Sequence, residues 1–135
     1  MAVAEERQAN IGAALGRKED PKLLTGQGRY VDDLSVPGMV WMALVRSPHA
    51  HARIKSVDTS KARAQPGVVA AFSGADLADD IPAGLPCAWP VTEDIKMPAH
   101  WPLARDKARY AGDGVAVVVA ETRAGAKDAA ALVEV

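Results

Sequence analysis

Residues 112–120 read Gly-Asp-Gly-Val-Ala-Val-Val-Val-Ala, the longest apolar segment near the C-terminal end together with the turn before it. Val115–Ala120 is apolar throughout, without the alternation of a strand that is exposed on one side. Such a run predicts a central β-strand that is covered on both faces. The preceding Gly112-Asp113-Gly114 predicts a hairpin turn, because Asp-Gly accepts the positive φ angles that tight hairpins need. The hairpin would join this strand to one within Arg105–Ala111.

Three other stretches predict strands. Met39–Val45 is a second continuous apolar run, which predicts another strand covered on both faces. The polar and apolar residues of His51–Val57 alternate, so this segment predicts a strand with one covered face. Val68–Phe72 is short, apolar and bounded by a turn, as is typical of a buried strand.

Two helices are predicted from their capping residues. Asp58 can cap Thr59–Ala64, and Thr122 can cap Arg123–Leu132. Alanines in the second helix leave a narrow face for close packing against the sheet. The order of elements therefore predicts an α+β fold, with a mixed sheet and two or three short helices.

The first 38 residues differ in character from those that follow. The charged, proline-broken stretch Arg17–Pro21 and the glycine-rich stretch Thr25–Tyr30 lead to Pro37-Gly38. Apolar residues are too sparse here to bury an element of their own. We therefore expect residues 1–38 to form an extended N-terminal arm that lies on another surface, and residues 39–135 to form the folded domain.

Composition narrows the class of protein. A chain of 135 residues suits one domain. Its net charge is −1, and the sequence has no cluster of basic residues of the kind that nucleic-acid binding requires. Its apolar runs are too short to span a bilayer, and Met1–Asn10 lacks the pattern of a secretory signal. The single cysteine, Cys87, excludes an internal disulfide and fits a reducing compartment. We expect a soluble, cytoplasmic protein that binds neither nucleic acid nor membrane.

Residues 47–54, Ser-Pro-His-Ala-His-Ala-Arg-Ile, hold two of the three histidines. On a strand, His49 and His51 would project from one face about 7 Å apart, a spacing that two ligands of one zinc ion can use. A catalytic zinc ion needs a third protein ligand, and no metal-binding motif supplies one nearby. Acid–base catalysis would need a carboxylate to orient the imidazole, and none is close in sequence. We favour histidines that pack or hydrogen-bond at an interface.

The remaining candidates for chemistry lie in the long connection between Asp79 and Pro102, which contains five prolines and two tryptophans. Such long connections are usually functional or held in place by a neighbour. Cys87 could serve as a nucleophile if a histidine lowered the pKa of its thiol, but a lone cysteine in a proline-rich loop is more often a small apolar residue. The residues alone indicate no active site.

Several short motifs follow one another along the chain. They are Arg17–Asp20, Leu23–Asp33, Pro37–Met39, Arg46–Ile54, Pro66–Val68, Pro102–Ala104, Arg109-Tyr110, Gly112-Asp113 and Val115–Glu121. In this order the motifs resemble the N-terminal part of the large, molybdopterin-binding subunit of the xanthine dehydrogenase, aldehyde oxidase and carbon monoxide dehydrogenase family. The resemblance runs from about Ile11 to Val135. It implies an α/β-hammerhead domain, and one departure is Gly114, where many relatives have proline.

The resemblance also implies the chemistry of the whole enzyme. The family acts on aldehydes, purines, N-heterocycles or carbon monoxide with a molybdopterin-type molybdenum cofactor, and passes electrons through 2Fe-2S clusters to FAD or another acceptor. Its active-site glutamate and cofactor-binding loops lie further along the large subunit, so no catalytic, cofactor-binding or metal-binding residue carries over. One cysteine cannot hold an iron–sulfur cluster. Leu132–Val135 resembles the beginning of a β-strand. We therefore expect this chain to be a piece of a longer polypeptide or the product of a split reading frame.

The partners implied by the resemblance are the remainder of the large subunit and the iron–sulfur and flavin subunits or domains. A homodimer is a further alternative. The residues expected at docking surfaces are Arg17, Asp20, Arg29, Asp32 and Asp33 in the arm, with His49, His51 and Arg53 beside the first strands.

A second hypothesis belongs to another functional class. The chain could be a free-standing small binding module that holds a metal through His49 and His51, or an apolar ligand in the Trp89–Trp101 loop. This hypothesis predicts stoichiometric zinc, copper or ligand in the purified protein.

Overall fold

The computed structural model describes Gly12, residues 16–86 and residues 92–135. The chain divides into two compact units, Met1–Pro37 and Gly38–Val135. The described part of the first unit contains a short helix, α1 (Asp20–Leu24), and a single 3-10 turn, Val31–Asp33. Helix α1 has no buried residue, in keeping with the sparse apolar content of this segment. No described helix has the length and apolar character needed to cross a lipid bilayer.

The described residues of the second unit form two antiparallel sheets and two helices. The strands are β1 (Trp41–Arg46), β2 (Ala52–Arg53), β3 (Val68–Ser73), β4 (Lys107–Ala108) and β5 (Gly114–Ala120), and the helices are α2 (Ser60–Arg63) and α3 (Arg123–Ala130). One sheet has the order β1-β5-β3, and the other pairs β2 with β4. The predicted α+β class and short helices are confirmed, but the described strand pairs are all antiparallel where a mixed sheet was predicted.

The core lies between the three-stranded sheet and the two helices. Val118 of the central strand is fully buried, with Ala43 of β1 and Ala71 of β3 beside it in register. Ala62 of α2 and Ala129 of α3 pack against this row. Since alanine side chains are small, the helix backbones lie close to the sheet, as the narrow alanine face of the last helix predicts.

The prediction that Val115–Ala120 forms a central strand is confirmed, since β5 lies between β1 and β3 and is buried along its length except at Val119, which is half-buried. The prediction that Met39–Val45 is covered on both faces is wrong. Strand β1 alternates between half-buried and exposed residues, and the Met42 side chain is 66% exposed. The physical reason is the position of the helices, which cover one face of the sheet. An apolar run on an edge strand therefore does not show whether both faces of that strand are covered.

The predicted hairpin around Gly112-Asp113-Gly114 is also wrong. The residues before the turn form β4, which pairs with β2 rather than with β5. The turn is held instead by Ser47, whose C=O accepts the N–H of Gly112 at 2.8 Å. The chain therefore passes from the two-stranded sheet into the three-stranded sheet at this turn.

The strand predicted over His51–Val57 is shorter than expected. Only Ala52–Arg53 forms β2, because its partner β4 is equally short. One further backbone hydrogen bond joins the Ile54 N–H to the Asp106 C=O at 2.9 Å. The predicted strand over Val68–Phe72 is confirmed as β3.

The predicted cap of the last helix is confirmed. Thr122 has extended backbone angles, and its hydroxyl oxygen accepts the backbone N–H of Gly125 at 3.0 Å. At the start of α2 the N-cap is Thr59, one residue after the predicted cap, and a carboxylate oxygen of Asp58 accepts the N–H of Ser60 at 2.8 Å. Helix α3 ends at Ala130, two residues before the predicted end at Leu132.

Replacing Thr122 by alanine tests the cap of α3. The substitution leaves the Gly125 N–H without its acceptor, and losses of this kind cost about 1 kcal/mol of unfolding free energy. Thr122→Ser keeps the hydroxyl and should retain most of the stability, as a matched control. Urea unfolding followed by circular dichroism measures both, and equal stability of Thr122→Ala and the wild type would contradict the assignment.

Candidate functional site

The segment of residues 47–54, which holds His49 and His51, begins where the end of β1 lies beside the start of β5. Ser47 is 7% exposed and Asp113 is 4% exposed. The Ser47 N–H donates to the Asp113 C=O at 2.8 Å, and the Asp113 carboxylate accepts the Arg109 N–H at 2.9 Å. Arg46 adds a hydrogen bond from its guanidinium to the Gly112 C=O at 2.8 Å. Two motifs that lie far apart in sequence are thus joined in one buried hydrogen-bonded turn.

The Ser47 hydroxyl sets the backbone path toward the histidines. It accepts the His49 N–H at 3.1 Å and lies at the same distance from the His49 C=O. His49, His51 and Arg53 are all exposed. The serine therefore orders the turn, while the three predicted interface residues are left on the surface of the unit.

His49 and Arg53 border a cleft of about 290 Å³. Its lining residues are Ser47, Pro48, His49, Ala52, Arg53, Ile54, Lys55, Ala108, Val115 and Val135, so His51 is not among them. The basic side chains of Arg53 and Lys55 stand beside an apolar part that includes Ile54 and Ala108. Such a surface suits a protein contact with an apolar centre and a charged rim.

A metal site at His49 and His51 needs further ligands. No group of three or more His, Cys, Asp or Glu residues that could hold a metal ion occurs within residues 16–86 and 92–135. Cys87 and Trp89 lie outside the described residues. The metal-binding and ligand-binding hypotheses therefore stay predictions. Elemental analysis of the purified chain, compared with His49→Ala and His51→Ala, tests the metal-binding hypothesis.

The predicted interface residues of the first unit form local contacts. The Arg17 guanidinium and the Asp20 carboxylate form an exposed ion pair at 2.9 Å, and the Asp33 carboxylate accepts the Tyr30 N–H at 2.9 Å. Arg29 is exposed and borders a cleft of about 350 Å³, which is lined by Glu19, Lys22, Leu23, Gln27, Gly28, Arg29 and Tyr30. Asp32 is exposed. These contacts order short turns and leave charge at the surface.

The long connection before β4 is held by contacts that the sequence analysis missed. The Arg105 guanidinium lies 3.6 Å from the centre of the Trp101 ring and donates to the C=O of Ile81. Leu85 and His100 form an isolated antiparallel bridge. An arginine stacked on a tryptophan is a cation–π contact. The stacked residues are four apart along the chain, whereas the hydrogen bond from Arg105 to Ile81 joins residues 24 apart, so no local spacing predicts that hydrogen bond.

The shifted pKa values belong to structural contacts. The Ser73 backbone N–H and hydroxyl both donate to Asp76, which lowers the pKa of that carboxyl. The Ser60 backbone N–H lowers the pKa of Asp58 in the same way. The hydrogen bond with Glu134 raises the pKa of Lys61. Each charged form is stabilised by a turn, a helix start or a surface ion pair.

Comparison with known proteins places this geometry in a family. Residues 25–135 match the family described as aldehyde oxidase and xanthine dehydrogenase, a/b hammerhead domain. The carbon monoxide dehydrogenase large chain of Afipia carboxidovorans is 44% identical over 130 residues, which cover 96% of this chain and 15% of that protein. The xanthine dehydrogenase molybdenum-binding subunit of Escherichia coli O157:H7 is 38% identical over 112 residues, which cover 83% of this chain and 15% of that protein.

A solved structure supports the same assignment. The crystal structure of quinoline 2-oxidoreductase from Pseudomonas putida 86 superposes with a TM-score of 0.80 at 44% sequence identity, covering 91% of this chain and 15% of that chain. The chain thus spans about 15% of the length of the relatives that it matches. It belongs to the aldehyde oxidase and xanthine dehydrogenase family, as an α/β-hammerhead domain of the kind found in the large subunits.

Proposed function

We propose that this chain is a supporting domain of a molybdenum-dependent hydroxylase, and that the reactive centre is furnished by other parts of the large subunit. The observation that carries the proposal is the extent of the match. The alignment with the Afipia carboxidovorans large chain includes 96% of this chain but only 15% of that protein. The substrate class, by resemblance, is an aldehyde, a purine or other N-heterocycle, or carbon monoxide.

The single cysteine of this chain does not fit the 2Fe-2S clusters that the resemblance implies. A 2Fe-2S cluster takes four cysteine ligands, or two cysteines and two histidines, and this sequence has one cysteine. Among the described residues, every buried side-chain nitrogen or oxygen already has a hydrogen-bond partner. The buried polar residues Ser47, Ser73 and Asp113 thus serve the fold. We assign the molybdopterin-type cofactor, the 2Fe-2S clusters and the FAD to other domains or subunits.

The proposed role of this chain is therefore to present contact surfaces. Residues 1–38 would act as an arm, with Arg17, Asp20, Arg29, Asp32 and Asp33 at the contact. His49, His51 and Arg53 would form a second contact with the remainder of the large subunit or with its iron–sulfur and flavin partners. The exposure of His49 and Arg53 beside a cleft with an apolar part supports this role.

A segment exchange tests the proposal. The matching segment of the Afipia carboxidovorans large chain is replaced by this chain, and the hybrid is expressed together with the other subunits of that enzyme. We expect a hybrid complex that contains molybdenum and retains carbon monoxide dehydrogenase activity, because the exchanged segment supports the fold without supplying reacting groups. Size-exclusion chromatography, elemental analysis and an activity assay measure the three properties.

A matched control is a hybrid in which the same segment is deleted and replaced by a flexible linker. Failure of the full hybrid to assemble, while the parent enzyme assembles under the same conditions, would contradict the proposed scaffold role. Loss of activity in a fully assembled, molybdenum-containing hybrid would show instead that this segment supplies a group needed for turnover, and would also contradict the proposal.

A further inference from the structure

One face of the three-stranded sheet is an apolar surface. The helices pack on the face that carries Val118, so the residues that alternate with it point to the opposite face. The register places Met42 beside Val119 and Ala70, and places Leu44 in the row of Phe72. We call these five residues the open sheet face. None of the five is charged.

The open sheet face is covered at one end within the described part of the second unit. Backbone atoms of Leu103 and Ala104 lie against Gly74, and the Leu103 side chain lies near Gly114. The Ala104 N–H donates to the Gly114 C=O at 2.7 Å, which fixes the segment at this end. At the other end Met42 is 66% exposed. Val40, two residues before Met42 along the chain, is also exposed.

We propose that the open sheet face docks against an apolar surface of the remainder of a large subunit, a partner that rests on the proposed function. The relatives carry the matched segment and a remainder of about 85% of their length in one polypeptide. Covalent attachment keeps the remainder at high local concentration, so even a moderate apolar contact stays formed.

The chemistry of the face favours this occupant over a transient partner. Permanent interfaces resemble a domain core cut in half, whereas transient interfaces keep a larger polar share. A sheet face of Met, Leu, Ala, Phe and Val has the composition of a permanent interface. A large apolar patch on a lone chain would promote association or aggregation. The other occupant that fits these side chains is a second copy of this chain, which the experiment below distinguishes.

The test places Met42→Lys in the hybrid large subunit described above. A lysine at this position would bring an unpaired charge into an apolar contact, so we expect the yield of assembled hybrid to fall about tenfold or more. Leu85→Lys is the matched control, because Leu85 is also an exposed apolar residue but lies in the long connection, outside the open sheet face. We expect its hybrid to assemble as the unmodified hybrid does.

Two measurements keep the outcomes separate. Urea unfolding of the isolated Met42→Lys and Leu85→Lys chains should give nearly wild-type stability, because both sites are exposed. Equal assembly of the Met42→Lys and unmodified hybrids would overturn the docking proposal and leave the scaffold role intact, whereas failure of the unmodified hybrid would contradict the scaffold role itself. If the isolated wild-type chain sediments as a dimer, Met42→Lys as a monomer, and the Met42→Lys hybrid assembles as the unmodified hybrid does, the occupant is a second copy, and the proposal is overturned.

Discussion

Replacing Gly74 by alanine is expected to lower the free energy of unfolding by about 3 kcal/mol, the largest effect that we predict. A Cβ atom at this position would lie 2.4 Å from the carbonyl oxygen of Ala104 and 2.9 Å from that of Leu103. Both contacts are with backbone atoms, which cannot turn away as a flexible side chain could. The end of β3 and the Leu103–Ala104 segment would have to separate.

That separation would cost hydrogen bonds as well as space. The Ala104 N–H donates to the Gly114 C=O at 2.7 Å, and the Gly74 N–H donates to the Val115 C=O at 3.4 Å. Overpacking costs roughly 1–3 kcal/mol, and each weakened hydrogen bond adds about 1 kcal/mol. Since Gly74 is not among the glycines with positive φ, the predicted cost comes from the close approach alone.

The matched control is Gly112→Ala. Gly112 has a φ of +92°, but a Cβ atom there would meet nothing within 4 Å. Alanine in this backbone conformation costs about 1 kcal/mol through strain. Chemical unfolding of both variants separates crowding from strain, and a loss at Gly74→Ala no greater than that at Gly112→Ala would contradict the packing described for this end of the sheet.

Replacing Asp113 by alanine is the second large effect, a loss of about 2 kcal/mol. The carboxylate is 4% exposed and accepts the Arg109 N–H at 2.9 Å. Without it, the Arg109 N–H loses its acceptor in a part-buried turn, and the removed side chain leaves a space at a buried position. Because the Asp113 C=O also accepts the Ser47 N–H, disorder at this turn should reach the backbone that leads to His49.

Asp113→Asn provides the control for this prediction. Asparagine keeps a side-chain oxygen that can accept the Arg109 N–H, so it should cost less than half as much as alanine. Hydrogen exchange gives a local measure, and the amides of Arg109 and Ser47 should exchange faster in Asp113→Ala than in Asp113→Asn. Unchanged exchange at both amides in the alanine variant would contradict the buried turn.

The elements that could be predicted from the sequence depend on local patterns. The apolar run of β5 indicates a central strand because burial on both faces leaves no need for alternation. The Thr122 hydroxyl caps α3 because the residue lies at the start of a helical segment. The pairing of β4 was not predictable in this way. The Asp-Gly turn favours a hairpin locally, but the hydrogen bond from Gly112 to Ser47 redirects the chain, and Ser47 lies more than 60 residues away.

The candidate contact residues were predicted less completely than the fold. The sequence indicates that His49 and Arg53 belong to a surface, and the structure places both beside one cleft and leaves His51 outside its lining. The sequence does not indicate that Met42 and Leu44 are exposed. The same apolar run is expected whether a second layer covers the strand within the domain or in a larger assembly. Only the tertiary arrangement of the helices distinguishes the two cases.

The most direct test of the central claim, that the reactive centre lies outside this chain, is a turnover assay of the purified 135-residue protein. The protein is incubated with an aldehyde, an N-heterocycle or carbon monoxide and an artificial electron acceptor, and acceptor reduction is followed. We predict no turnover above that of buffer, while the assembled hybrid large subunit reduces the acceptor with carbon monoxide. Oxidation of any of these compounds by the isolated chain, with no other subunit and no pterin present, would contradict the account.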